Sequence, residues 1–183
     1  MQAAPVSPTA TPTTQAHDFL LFEKLSRASS QAKSGSNPSF CAGSAPAPHV
    51  RAYQRETVIA EKLESMVQLG IGNSRMKDFF DLRFLARTFE FDGDVLTKAI
   101  AATFARRGTS ISKEEPLAFT AAFVEDRQKK AQWSAFLKRS NVGEPPLTLA
   151  AVVAEIRAFL DRPLEALRVC RAFTASWSAR VWR

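Results

Sequence analysis

The 183-residue sequence predicts a mostly α-helical protein, and three observations carry the prediction. Apolar residues recur every three or four positions through Arg55–Phe89, RETVIAEKLESMVQLGIGNSRMKDFFDLRFLARTF, on both sides of a glycine-containing break. The segment DGDVLTKAIAATFARRG has acids at its start, arginines at its end and a glycine after them, the polarity a helix favours. Strand-like alternation is scarce, with only short pieces such as Val50–Tyr53 hinting at extended chain.

Taken in order, residues 1–49 form a linker-like region. Residues 1–16 are rich in Pro, Thr, Ala and Gln and are expected to be disordered, because they bury too little apolar surface to offset chain entropy. Residues 18–28, DFLLFEKLSRA, suit one short helix that is marginal alone. Residues 29–49 return to Gly, Ser and Pro. A helical domain is expected over 50–160. Its first helix carries Val58, Ile59, Leu63, Met66 and Val67; the Gly70–Ser74 turn ends it, and Asn73 or Ser74 caps the second, which carries Phe80, Leu82, Leu85, Ala86 and Phe89. A third helix starts at Asp92 or Gly93, with Val95, Leu96, Ile100, Ala101 and Phe104 inward and Gly108 as its stop. After a connection in which Leu117 and Phe119 tuck back, a fourth helix is expected over 121–139. A break at Asn141–Pro146 precedes a fifth, Leu149–Leu160, which Pro163 ends. The basic tail, residues 161–183, is ambiguous: Val169, Phe173, Trp177, Val181 and Trp182 suit either a helix face or an exposed apolar patch.

A net charge of +7 and a pI near 9.8 fit contact with an acidic partner, but the excess is spread and forms no basic stripe. Two cysteines far apart, Cys41 and Cys170, and only two histidines, His17 and His49, argue against a structural zinc site. Neither a membrane-spanning run nor a signal-peptide pattern is legible, so the expected location is cytoplasmic, with no membrane partner.

The polar residues that invite a chemical reading are Lys62 on the first helix and Arg75, Lys77, Asp78 and Asp81 at the start of the second. Spacings of three and four put Lys77, Asp78 and Asp81 around one helical turn. Taken alone, that pattern suits an exposed ion pair with acids favourably placed at a helix N-terminus. It equally suits an aspartate aimed into a cleft. Lys62 reads as a solvated lysine unless the helices fold back on each other, in which case it faces the second helix as a compact positive charge suited to phosphate. Gly70-x-Gly72 lacks the strand and third glycine of a dinucleotide loop.

The segments ETVIAEKLESM and RMKDFFDL, at this separation and continued by KKAQWSAFLKRS, resemble the C-terminal half of the AbiEii/AbiGii-type toxin nucleotidyltransferases over roughly 115 residues. The resemblance implies an α+β nucleotidyltransferase fold, of which this chain keeps the helical C-terminal region with the catalytic sheet largely missing. It implies transfer of a nucleoside monophosphate from an NTP with Mg2+, a cognate antitoxin as partner, and tRNA or another RNA as acceptor. Lys62 then corresponds to a lysine facing nucleotide phosphates and Asp81 to the acid of the KDxxDL segment. Asp78 and Lys77 support the pocket, and Arg75 is a phosphate-side contact. The family's Gly/Ser motif and acidic pair, which would hold magnesium, have no counterpart before Val50, where Asp18 stands alone. The expectation is a truncated chain with no metal site of its own and no productive NTP binding, whose first 45 or so residues and last twenty lie outside the family fold. The rival expectation is a helical binding module for an antitoxin-like protein or RNA.

Overall fold

The computed structural model describes residues 54–140 and 147–183. The expectations for residues 1–49, for Val50–Tyr53 and for the break at Asn141–Pro146 lie outside the described residues. Gln54–Arg183 forms one compact unit. Its elements are α1 (Arg55–Leu69), a 3-10 turn (Gly70–Gly72), α2 (Met76–Thr88), β1 (Phe91–Asp92), α3 (Gly93–Arg107), a second 3-10 turn (Leu117–Phe119), α4 (Ala121–Glu125), α5 (Arg127–Arg139), α6 (Leu149–Arg168), β2 (Ser176–Ser178) and β3 (Val181–Trp182).

The mostly helical class is borne out. Helix α1 packs on α3, and α6 packs on both α2 and α3. Ile59, Leu63, Met66, Leu82, Leu85, Leu96, Ile100, Phe104, Val152, Ile156, Phe159 and Leu160 fill the space between them. The period-3.6 stripe of each helix is therefore what faces the core. Val95 and Leu117 depart from expectation: both are exposed, while Phe79 is fully buried and stacks on Phe123 with ring centroids 5.4 Å apart.

Local chemistry sets the boundaries. Gly70 adopts φ 48°, a conformation costly for any side chain, and its N–H bonds the Met66 carbonyl to end α1. The Oδ1 of Asn73 accepts from the Arg75 N–H at 2.8 Å, an Asx turn that leads into α2. Asp92 caps α3 by accepting from the N–H groups of Asp94 and Val95, and Gly108 at φ 67° closes it. The helix expected over 121–139 is two: the chain turns at Asp126, whose carboxylate accepts from the Lys129 N–H and restarts the helix.

Two larger differences concern the C-terminal region. Pro163 does not end α6, which runs on to Arg168. A proline inside a helix removes the N–H that would bond the carbonyl four residues back, here Phe159. Trp182 Nε1 donates to that carbonyl at 2.8 Å, which replaces the missing bond. The tail beyond is neither a helix nor an exposed patch. It forms a β-hairpin, β2 with β3, whose β2 also pairs antiparallel with β1, Phe91 opposite Trp177. Trp177 and Trp182 are buried, and Trp177 Nε1 donates to Ala86, a carbonyl in the last turn of α2 that has no partner within its helix. This small open sheet, in the order β1-β2-β3, is the sheet content of the described residues.

Candidate functional site

The fold brings the sequence-selected residues together. The short Gly70–Arg75 connection folds α2 back along α1, so that Lys62, in the middle of α1, meets the first turns of α2. Lys62 Nζ donates to Asp78 Oδ1 at 2.6 Å and to Asp81 Oδ2 at 2.8 Å. Lys77 Nζ donates to both oxygens of Asp81, at 2.6 and 2.8 Å. Arg75 Nε lies 2.8 Å from Asp78 Oδ2. All five candidates thus belong to one cluster.

Its exposure is graded. The side chains of Asp78 and Asp81 are 7% and 5% exposed and Lys62 15%, whereas Lys77 and Arg75 reach 39% and 57%. The carboxylates lie inside the cluster and the two outer cations meet solvent. Three cations face two carboxylates, which leaves the cluster with one net positive charge. Burial works against the charged form of Lys62, but Asp81 and Asp78 outweigh it, and the ammonium is held above its ordinary value of 10.5. Lys62 is therefore a permanent cation near neutrality and cannot act as a general base.

The donor set does not suit Mg2+. Every carboxylate oxygen of Asp78 and Asp81 already lies within 2.8 Å of an ammonium or guanidinium, and a divalent ion among them would face three positive charges at close range. Among the described residues no group of three or more metal-ligating side chains converges.

Sequence reasoning missed two buried polar groups nearby. Glu64 is buried and accepts from Arg107 at 2.8 Å and from Thr109 at 2.6 Å, which ties α1 to the end of α3. Lys129 is buried on α5 and donates to the Asn73 carbonyl at 2.8 Å. The available signal was phase: Lys129, Trp133 and Phe136 follow i, i+4, i+7 along one face of α5.

A helical unit carrying this cluster belongs to the class of nucleotidyl transferase toxins: a family model for the AbiEii toxin, a nucleotidyl transferase of type IV toxin–antitoxin systems, matches residues 23–162. The chain belongs to the AbiEii family. The match starts at Glu23, 33 residues before Glu56, where the first resembling segment begins, so part of the linker-like region falls within it. No curated protein and no solved structure matches the chain. Membership carries use of an NTP and Mg2+ and a toxin–antitoxin setting at the level of the family. Among the described residues no helix is long and apolar enough to cross a membrane.

Proposed function

We propose that Gln54–Arg183 supplies the phosphate-facing wall of a nucleotidyl transfer site and does not complete the transfer alone. The reaction is attack of an RNA hydroxyl, on tRNA or another acceptor, at the α-phosphorus of an NTP, with pyrophosphate leaving. Lys62 contributes fixed positive charge beside the nucleotide phosphates. Asp81, bonded to both Lys62 and Lys77, orients the two ammonium groups, and Asp78 holds Lys62 and Arg75 from the other side. Arg75 and Lys77, the exposed members, contact the phosphates. Magnesium is left to acids outside this cluster. The observation that carries the proposal is Lys62 Nζ bound between Asp78 and Asp81 across the α1–α2 hairpin.

Incubation with labelled NTPs, magnesium and tRNA is expected to give incorporation no greater than the Asp81→Ala background. Robust incorporation that Asp81→Ala abolishes would overturn the inactive reading. Equilibrium dialysis against a labelled NTP tests the wall itself: Lys62→Ala is expected to weaken retention by about tenfold, the scale of one charge-assisted contact. Equal retention by both proteins removes Lys62 from the site.

The second reading, a binding module, is favoured by one observation. Arg171, Arg180 and Arg183 are exposed, and residues 166–183 include no Asp or Glu. RNA retention that falls steeply with salt supports it. Lack of retention at low salt leaves the antitoxin-like protein as the partner in question.

A further inference from the structure

Lys129 is 3% exposed and, among the described residues, no carboxylate pairs with its ammonium. It also lies in the first turn of α5, where the helix dipole disfavours a cation. Burying an unpaired ammonium costs several kcal/mol, roughly what a well-packed methionine would save. Its hydrogen bonds show what is gained. Nζ donates to the Asn73 carbonyl at 2.8 Å and to Gln132 Oε1 at 3.2 Å, and it sits 5.5 Å from the centroid of the Phe123 ring. Asp126 bonds the Lys129 backbone N–H, which fixes the turn that presents the side chain.

Asn73 is the hinge between the two helices of the cluster. Its side-chain oxygen accepts from Arg75, and the Arg75 carbonyl accepts from the Asp78 N–H at 2.9 Å. The side-chain Nδ2 of Asn73 is buried and makes no hydrogen bond among the described residues, so the residue is held there at a cost. A chain of bonds therefore runs from the Lys129 ammonium through Asn73 to Arg75 and on to Asp78, the carboxylate that grips Lys62.

We infer that Lys129 is a positioning residue for the Lys62–Asp78–Asp81 cluster: by anchoring the Asn73 carbonyl, it sets where α2 begins and thus where its two aspartates meet Lys62. The cluster matters for nucleotide chemistry only if the proposed function holds. The test uses no nucleotide, so its failure and the failure of that proposal are separable.

Lys129→Met removes the donor to the Asn73 carbonyl, and Asn73→Ala, which keeps that carbonyl, removes the acceptor of the Arg75 N–H. In the full chain, NMR of the lysine side-chain nitrogens follows the Lys62 titration, and amide hydrogen exchange follows Arg75 against α6. In both variants the Lys62 midpoint is expected to fall toward that of an ordinary lysine, and Arg75 exchange to speed up by about tenfold relative to α6. A purely structural lysine would lower the melting temperature and leave both readouts in place, which overturns the inference. Should Lys129→Met fail to fold, Lys129→Gln, shorter and uncharged, decides in its place: an unmoved Lys62 titration refutes the link, a lowered one upholds it.

Discussion

The two ends of the unit are held by opposite means. At the α1–α2 hairpin, three cationic side chains interlock around two buried carboxylates. Around α6 and the hairpin, Phe159 lies 4.9 Å from Trp177 and 5.7 Å from Trp182 between ring centroids, and Phe173 lies 4.8 Å from Trp182. The polar end is built from residues within twenty positions of one another. The aromatic end joins Phe91 to Trp177 and Ala86 to Trp177, across about ninety residues. Charge placed by local spacing can present a ligand site; aromatic packing across the chain closes the fold around it.

That contrast can be broken from either side. The largest effect is expected from Trp177→Ala, which deletes a buried indole and its bond to Ala86, at about 3–5 kcal/mol of stability. A chemical-denaturation midpoint unchanged within error would mean that the aromatic end does not bear on stability. Next comes Asp81→Ala, at about 2 kcal/mol, discounted from a fully buried pair because Lys62 and Lys77 retain some water. If Lys62→Met in the same background restores the lost stability, uncompensated charge is the cause; no recovery would point to lost packing.

Gly93→Ala is expected to cost about 1–3 kcal/mol, since its Cβ would stand 2.6 Å from the Ala175 carbonyl and from a Phe173 ring carbon. A melt identical to wild type would show that the hairpin yields freely. The smallest change should stabilise. Ala179 and Arg180 form the two-residue turn between β2 and β3 with φ of 47° and 65°, and Asn-Gly in their place is expected to add about 1 kcal/mol. An unchanged or lowered denaturation midpoint would argue against strain there.

Acid and base separate two of the ionic contacts. Because Lys62 titrates above 10.5 when folded, its contribution is complete below that value and is lost as pH rises through the folded value. Glu155 is partly buried, which opposes its ionisation, yet Arg87 and Arg83 hold it below its ordinary 4.5; its contribution is present above 4.5 and is lost as pH falls. Lys62→Met should therefore flatten the alkaline limb of a stability–pH curve and leave the acid limb intact. An alkaline limb that persists in Lys62→Met assigns the loss to other groups.

How much the sequence revealed follows the same division. Helices α1, α2, α3 and most of α6 were legible because their apolar period and caps are local, and Asp92 and Gly108 act as read. Lys62, Arg75, Lys77, Asp78 and Asp81 were legible as a group, because spacing put Lys77, Asp78 and Asp81 around one turn with Arg75 just before it, and a short connection brought Lys62 across. Lys129 was hidden, since burial of a lysine depends on which face of α5 meets the Asn73 turn. The fate of Pro163 was hidden for a related reason: local chemistry says that a proline stops a helix, and only a tryptophan nineteen residues later reverses it. The hairpin tip, Ala179-Arg180, carries none of the Asn or Gly that marks such a turn.

The indole that repairs α6 also sets an order of assembly. While the chain is being synthesised, the Phe159 carbonyl lies opposite a proline and lacks its native partner until Trp182 has left the ribosome. The last turns of α6 can reach their native hydrogen bonding only then, so this helix is completed from outside itself, by a residue translated fourteen positions after its own end.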